Sequence, residues 1–309
     1  MNRLDAMQVF TKVVELGSFT AAATALRVPR ASATTRLQAL EERLNVKLLH
    51  RTTRTVSVTA EGALYYEECS RMLRDLDDLE TELSSANAAP RGRLRIDVPA
   101  VSGRQVLAAR LPEFFGRYPQ ISLSMGSTDR VVDLVAEGID CVVRGGDVHD
   151  ESLAARKLGE MPVVTLAAPS YLRKHGTPKT PADLAPHLFV NFFSQKTGKV
   201  FEVDFIRDGK TTHFLPRHLV ATNDSSTWVA LAVAGLGLVQ TPVSAEVRQL
   251  VKDGRLKRVL SAWSSEALPV FALYPQSRRL PARVRVFIDW VAQVYADEAR
   301  QAMAFAARR

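Results

Sequence analysis

The sequence predicts a mainly helical N-terminal unit of the winged helix-turn-helix type, a long connecting helix and a larger α/β unit. Three observations carry this. A short alanine-rich helical run, a tight break and a further helical run occupy 19–44, followed by two β-prone runs around a pair of arginines. Apolar residues from Tyr65 to Leu83 recur at intervals of 4, 3, 4, 3 and 4. Beyond Ser84-Ser85-Ala86-Asn87-Ala88-Ala89-Pro90-Arg91-Gly92, period-two runs alternate with runs of helical period.

Residues 4–16 place Leu4, Met7, Val9, Phe10, Val13 and Val14 in an amphipathic helical pattern that breaks at Gly17-Ser18. Ser18 suits the N-cap of the next helix, where Phe19, Ala22, Ala23 and Leu26 recur at helical spacing. A third helix begins after Pro29, with Ala33, Leu37, Leu40 and Leu44 on one face. Projection at ~100° per residue puts Ala31, Ser32, Thr35 and Gln38 opposite that face, flanked by Thr34 and Arg36, with Arg30 at the helix entrance. Short polar and basic groups so placed can approach base edges and phosphates in a major groove. Taken alone, the same row also reads as a solvated face. The runs Leu48-Leu49-His50 and Thr55-Val56-Ser57-Val58 enclose Arg51, Thr52, Thr53 and Arg54, a hairpin suited to phosphate contact or minor-groove entry.

From Thr59, an apt N-cap, the chain reads as one long helix. Tyr65, Cys69, Met72, Leu76, Leu79 and Leu83 form a coiled-coil-like seam, expected to dimerise the chain; packing against its own domain is the alternative. On the first reading Cys69 is a seam residue and not a redox centre. Charge follows the same division. Residues 1–58 hold nine Lys and Arg against four acids, whereas 59–87 hold two arginines against eight acids. The full chain of 309 residues carries a net +8, so positive charge is densest at the N-terminus and the long helix would be repelled by a polyanion.

In the larger unit, strands are expected at 93–98, 121–125 and 140–144, with helices around 106–115 and over 131–137. A second α/β group follows 163–167, with strands at 188–190, 219–221 and 236–240 and a helix over 225–234; the chain then returns through 270–274 and a final helix over 282–295. Ligands of such sheets lie beyond the strand carboxyl ends.

Two segments carry a resemblance. The run Phe10-x-x-Val13-Val14-Glu15-x-Gly17-Ser18-Phe19-Thr20-x-Ala22-Ala23 resembles the opening of LysR-type transcriptional regulators. So does Leu40-Glu41-Glu42-Arg43-Leu44-x-Val46-x-Leu48-Leu49-x-Arg51-Thr52-Thr53-Arg54, continuing through Val56-Ser57-Val58-Thr59-x-x-Gly62. The resemblance implies DNA contacts from Arg30, Ala31, Thr34 and Thr35, with Arg51 and Arg54 on the wing. The chain departs from the family pattern, which commonly has Gln then Ser or Pro at 30 and 31 and Ser-Arg at 34 and 35. Arg30 or Arg36 is the candidate replacement for a guanine contact.

The resemblance further implies a hinged, two-lobed effector domain similar to periplasmic solute-binding proteins. Expected boundaries are 1–59 for the winged unit, 60–89 for the linker helix and 90–309 for the effector domain. Lobe I spans about 90–163 and 268–309, and lobe II about 164–267. A small anionic or aromatic metabolite is expected between the lobes, near Ala100, Val101, Ser102, Thr128 and Arg144 of the first and Asn191, Asn223, Ser225 and Thr227 of the second. Free N–H groups of helices following Ser102 and Ser225 suit a carboxylate; Arg144 either neutralises it or sits in a structural ion pair. Expected partners are double-stranded promoter DNA, the effector and further copies in a homodimer or homotetramer, with RNA polymerase a further candidate.

Other classes fit less well. The chain carries no apolar run of ~20 residues and no long apolar stretch near Met1, so neither a membrane span nor a signal peptide is read and a cytoplasmic location is expected. Two cysteines are too few for a disulfide framework. The lone Gly235-Leu236-Gly237 follows a helix instead of opening one, Gly145-Gly146-Asp147 lacks P-loop spacing, and no HExxH or GxSxG occurs. His50, His149, His175, His187, His213 and His218 form no metal-ligand pattern. No cofactor, metal or catalytic activity is therefore expected. A solute-binding protein, or an α/β enzyme with an accessory DNA-binding segment, is the alternative.

Overall fold

The computed structural model describes residues 2–51, 56–84, 89–146, 150, 152–276 and 280–307. The chain divides into two compact units, one of residues 1–88 with 136–138 and the other of the remainder.

The first unit contains α1 (Arg3–Leu16), α2 (Phe19–Ala25), α3 (Arg30–Leu44), β1 (Leu49–Arg51), β2 (Val56–Val58) and α4 (Ala60–Ser84). Asn2 caps α1 through the Leu4 amide, and Ser18 caps α2 through the Ala21 amide. Between α2 and α3 the chain turns with Arg27 at φ 55°, a left-handed conformation that lets the Arg27 and Val28 amides return to the Thr24 and Ala23 carbonyls. Ala22 and Ala23 are buried where α2 crosses its neighbours, around a core of Phe10, Val13, Leu37, Leu40 and Leu48. β1 and β2 pair antiparallel, Leu49 opposite Val58 and Arg51 opposite Val56; Thr52, Thr53 and Arg54 lie outside the described residues.

One carboxylate joins these pieces. Glu41 of α3 is 3% exposed, and its Oε1 accepts from the backbone amides of Leu48 (2.9 Å) and Leu49 (3.2 Å), while Lys47 Nζ lies 3.2 Å from Oε2. Thr59 Oγ1 donates to the Lys47 carbonyl at 2.7 Å and accepts from the Gly62 amide at 2.9 Å, capping α4 on the same loop. Gly62 is required there: a Cβ would lie 2.0 Å from the Leu48 carbonyl oxygen. Recognition-type helix, wing and long helix thus share one polar knot.

The second unit holds two five-stranded sheets. The first runs β4-β3-β5-β14-β6, from β3 (Gly92–Val98), β4 (Ile121–Ser127), β5 (Cys141–Gly145), β6 (Leu153–Met161) and β14 (Leu268–Pro275). The second runs β11-β8-β12-β7-β13, from β7 (Val163–Ala167), β8 (Phe189–Phe192), β11 (His218–Thr222), β12 (Leu238–Pro242) and β13 (Lys257–Val259). A separate hairpin, β9 (Val203–Arg207) with β10 (Lys210–Phe214), turns at Asp208-Gly209, both at positive φ. The chain crosses between sheets twice, at Pro162 and again between β13 and β14. Two lobes follow. Lobe I adds α5 (Ala100–Ser102), which runs into a π-helical segment (Gly103–Leu107), α6 (Leu111–Arg117) and α10 (Ala282–Ala306). Lobe II adds α7 (Pro169–His175), a 3₁₀ turn (Pro181–Leu184), α8 (Ser225–Val233) and α9 (Ala245–Lys252).

The helix expected over 131–137 is not formed. Val132 and Leu134 are buried while Val131 and Val135 face outward, a period of two. Asp133 Oδ1 takes the Val135 amide at 3.0 Å, the kind of local bond that competes with helix. The helix expected after 106 is divided: the π segment ends before α6 begins at Leu111.

Two outcomes follow from this packing. Glu41→Ala leaves two buried amides without an acceptor and should cost the N-terminal unit about 2–4 kcal/mol in urea unfolding, with Gly62→Ala destabilising the same transition; an unchanged midpoint for both would disprove the knot. Cys69 and Cys141 are buried, and burial pushes both thiols above their ordinary pKa. At neutral pH Ellman's reagent should therefore label neither thiol in the native protein and both in denaturant.

Candidate nucleic-acid interface and effector cleft

On α3, Arg30, Ala31, Thr35 and Gln38 are exposed, and Ser32, Thr34 and Arg36 are half-buried. Thr34 and Thr35 donate their hydroxyls back to the Arg30 and Ala31 carbonyls (3.1 and 3.0 Å), so both hydroxyl protons are already engaged within α3. Arg36 lies 3.5 Å from Asp5 of α1, which steadies the guanidinium beside the exposed row. The Arg51 backbone belongs to β1, at the base of the wing.

Along α4 the apolar row divides. Cys69 is 1% exposed, and Tyr65 packs on Phe10 at 5.6 Å between ring centroids. Both line a groove of about 270 Å³ with Met7, Leu40 and Leu44 of the same unit. Burial lifts the Tyr65 phenol to about 12. Further along, Met72 and Leu79 are 52% and 46% exposed and Leu76 is half-buried. Leu83 falls within α4, and its side chain lies outside the described residues. The alternative of packing against its own domain therefore accounts for Tyr65 and Cys69; Met72, half exposed, still borders the same groove, and Leu79 lies beyond it.

In the second unit, α5 of lobe I packs near α8 of lobe II, which brings Ala100, Val101 and Ser102 close to the helix that carries Ser225 and Thr227. Ala100, Val101 and Ser102 form α5 itself and are half-buried. Since α5 continues into the π segment, no free helix N-terminus follows Ser102. Arg144 of β5 is committed: it forms an ion pair with Asp97 and donates to the carbonyls of Asp97 (3.3 Å), Val143 (2.8 Å) and Arg130 (3.1 Å). Asp97 is 3% exposed and also accepts from Thr128 Oγ1 at 3.4 Å. Gly126, opposite Asp97 across the β3–β4 ladder, makes this arrangement possible, because a Cβ there would lie 2.2 Å from Asp97 Oδ2.

In lobe II, Asn191 is buried and donates to the Pro216 carbonyl at 3.3 Å, with its Nδ2 also 3.1 Å from His218 Nδ1; it faces its own lobe. Asn223 is half-buried beyond the end of β11, and Thr227 is exposed with its amide capped by Asp224 Oδ1 at 2.7 Å. Ser225 opens α8, and its N–H and O–H both donate to Oδ2 of Asp129 from lobe I, each at 2.7 Å. A second bridge joins Gln105 to Glu246 of α9: Gln105 Nε2 donates to Glu246 Oε2 at 2.6 Å and Oε1 accepts the Glu246 amide at 3.0 Å. A third pairs Arg248 of α9 with Glu298 of α10 at 2.7 Å. Asp97, Asp129, Gln105 and Glu246 were not among the expected site residues. Beside Asn191, Phe192 packs on Trp228 (5.0 Å between centroids) and stacks with the exposed Phe201 (6.3 Å). Among the described residues no cluster of His, Cys, Asp or Glu is arranged to hold a metal, and no helix is long and apolar enough to cross a membrane.

Comparison with known proteins follows the same division. Residues 4–63 match the family model described as bacterial regulatory helix-turn-helix protein, lysR family, and 87–296 match the LysR substrate binding domain. An HTH-type transcriptional repressor of Pseudomonas aeruginosa (strain UCBPP-PA14) is 38% identical, over 96% of this chain and 93% of its own length. The HTH-type transcriptional activator AaeR of Escherichia coli (strain K12) is 37% identical over 96% and 95%. The full-length virulence activator AphB of Vibrio cholerae superposes with a TM-score of 0.58 at 30% identity, covering 94% of this chain and 98% of that one. CrgA of Neisseria meningitidis gives 0.57 at the same identity and coverage. With both regions matched in this order along one chain, the protein belongs to the LysR family: a DNA-binding transcriptional regulator with an effector-binding domain.

Proposed function

We propose that the chain acts as a homodimer or homotetramer whose paired α3 helices occupy two half-sites of duplex promoter DNA, with the wing arginines on phosphate. The proposed divisions are 1–59 for DNA binding, 60–89 for dimerisation through Met72, Leu76, Leu79 and Leu83, and 90–309 for the effector. The observation that carries this reading is the Glu41 knot, which sets the exposed row of α3 and the wing in one fixed relation. Sequence preference then rests on Arg30, Gln38 and Arg36, since the Thr34 and Thr35 hydroxyl protons are already engaged within α3.

The proposed effector is a small aromatic or anionic metabolite between the lobes, and the Phe192, Phe201 and Trp228 cluster favours an aromatic ring. Its entry shifts the lobes, changes the spacing of paired winged units and alters the bend imposed on the DNA. RNA polymerase is a proposed further partner. The work is mechanical, and catalysis has no part in it.

Arg51→Ala or Arg54→Ala should weaken retardation of every duplex tested and lower the slope of log affinity against log salt by about one each. An unchanged slope would remove these residues from the phosphate contacts. Deletion of 1–89 should abolish duplex binding while a ligand found by thermal-shift screening still stabilises the remainder; surviving specific retardation would overturn the domain assignment.

A further inference from the structure

The first turn of α8 lies where an effector acid is expected, and it is already occupied by a carboxylate of the chain. Asp129 reaches from lobe I and takes both the amide and the hydroxyl of Ser225 on one oxygen. Asp224 separately caps the same helix through Thr227, so the two carboxylates divide the N-terminal donors between them. Asp129 is also held from both sides of its own loop. Thr128 before it is bonded to the Val98 carbonyl and to Asp97, and the carbonyl of Arg130 after it is held by Arg144. The buried Asp97–Arg144 pair thereby anchors the segment that carries Asp129 to the core strands of lobe I.

We propose that Asp129 is a tethered clasp between the lobes: its carboxylate holds the start of α8 against lobe I when no effector is present, so effector entry must accommodate or break this contact. The inference deepens the effector reading above and rests on it for its regulatory meaning. Its structural content stands alone. The Gln105–Glu246 and Arg248–Glu298 bridges act on α9; on α8 the two 2.7 Å bonds to Asp129 are accompanied by a longer contact from Arg104 Nη2 of lobe I to Ser226 Oγ at 3.5 Å, so Asp129 is the principal clasp there.

The test is hydrogen exchange on the full-length protein without effector, read over 225–233. Asp129→Ala should lower protection of the first turn of α8 by about tenfold, the loss expected for one charge-assisted hydrogen bond. Sodium acetate or formate should restore that protection in the variant and leave the wild type unchanged. Ser225→Pro removes both donors from the other side at a helix position that accepts proline, after a residue already extended at φ −114° and ψ 121°. It should reproduce the loss, and the double variant should lose no more than either single one. Unchanged protection in both variants, additive losses, or a loss spread through β3–β5 would overturn the clasp. Duplex retardation by wild type on the same preparation tests the regulator reading separately: its absence would remove that reading while leaving the exchange result to decide the clasp.

Discussion

A carboxylate taken out of water must be met by donors, because an unanswered buried charge costs several kcal/mol. This constraint organises both functional regions. Glu41 is met by two successive backbone amides and a lysine, which brings the end of α3 to the start of β1; Thr59 and Gly62 then bind α4 to the same loop. Asp97 is met by Arg144 and Thr128, and Arg144 spends its remaining donors on carbonyls around the ends of β3 and β5. In each case a charged side chain sets the course of neighbouring backbone, and a glycine (Gly62 or Gly126) supplies the space.

The long helix shows how one periodic signal serves two packing surfaces. Spacing of 4 and 3 is the stripe any helix presents to a partner, whether that partner is its own domain or another chain. Here the stripe begins against α1, through Tyr65 and Cys69, and continues outward as Met72 and Leu79. Period alone cannot mark the handover. The packed unit beside α4 does, because Phe10 meets the row at Tyr65 and the groove that holds Met7 and Leu40 extends along α4 as far as Met72.

The N-terminal unit was legible because its signals are local: caps at Ser18 and Thr59, the break at Pro29, and alternation in the wing strands. In the larger unit the buried parallel strands β3 and β8 were equally plain, as were the alternating edge strand β4 and the second group's helix α8. What escaped notice was of two kinds. β6 buries only Leu158 and Met161 and carries Arg156 and Lys157, so its hydrophobic pattern is weak, although the β9–β10 turn at Asp208-Gly209 was a readable hairpin signal. The other kind was contact between distant segments. Arg144 and Ser225 look available in one dimension; only the fold brings Asp97 to the first and Asp129 to the second, 47 and 96 residues away.

That distinction bears on the proposed shift of the lobes by a small ligand. Turning a 1:99 population of lobe arrangements into 99:1 requires roughly 10⁴-fold tighter binding to one of them, about 5.5 kcal/mol. A partly exposed hydrogen bond or ion pair contributes only about 0.5–3 kcal/mol. The lobes of this chain are bridged by a handful of such groups, among them Asp129 with Ser225, Gln105 and Arg104 with Glu246, Arg248 with Glu298 and Arg258 with the last carbonyls of α10, on top of shared apolar packing. Bridges of that size lie within the range of one bound metabolite, and on the proposed reading the buried Asp97–Arg144 pair holds lobe I together while they exchange. The proposed division of labour is therefore by burial: the deeply buried carboxylate of Asp97 holds the frame, and the half-buried one of Asp129, between the lobes, is the one an effector would displace.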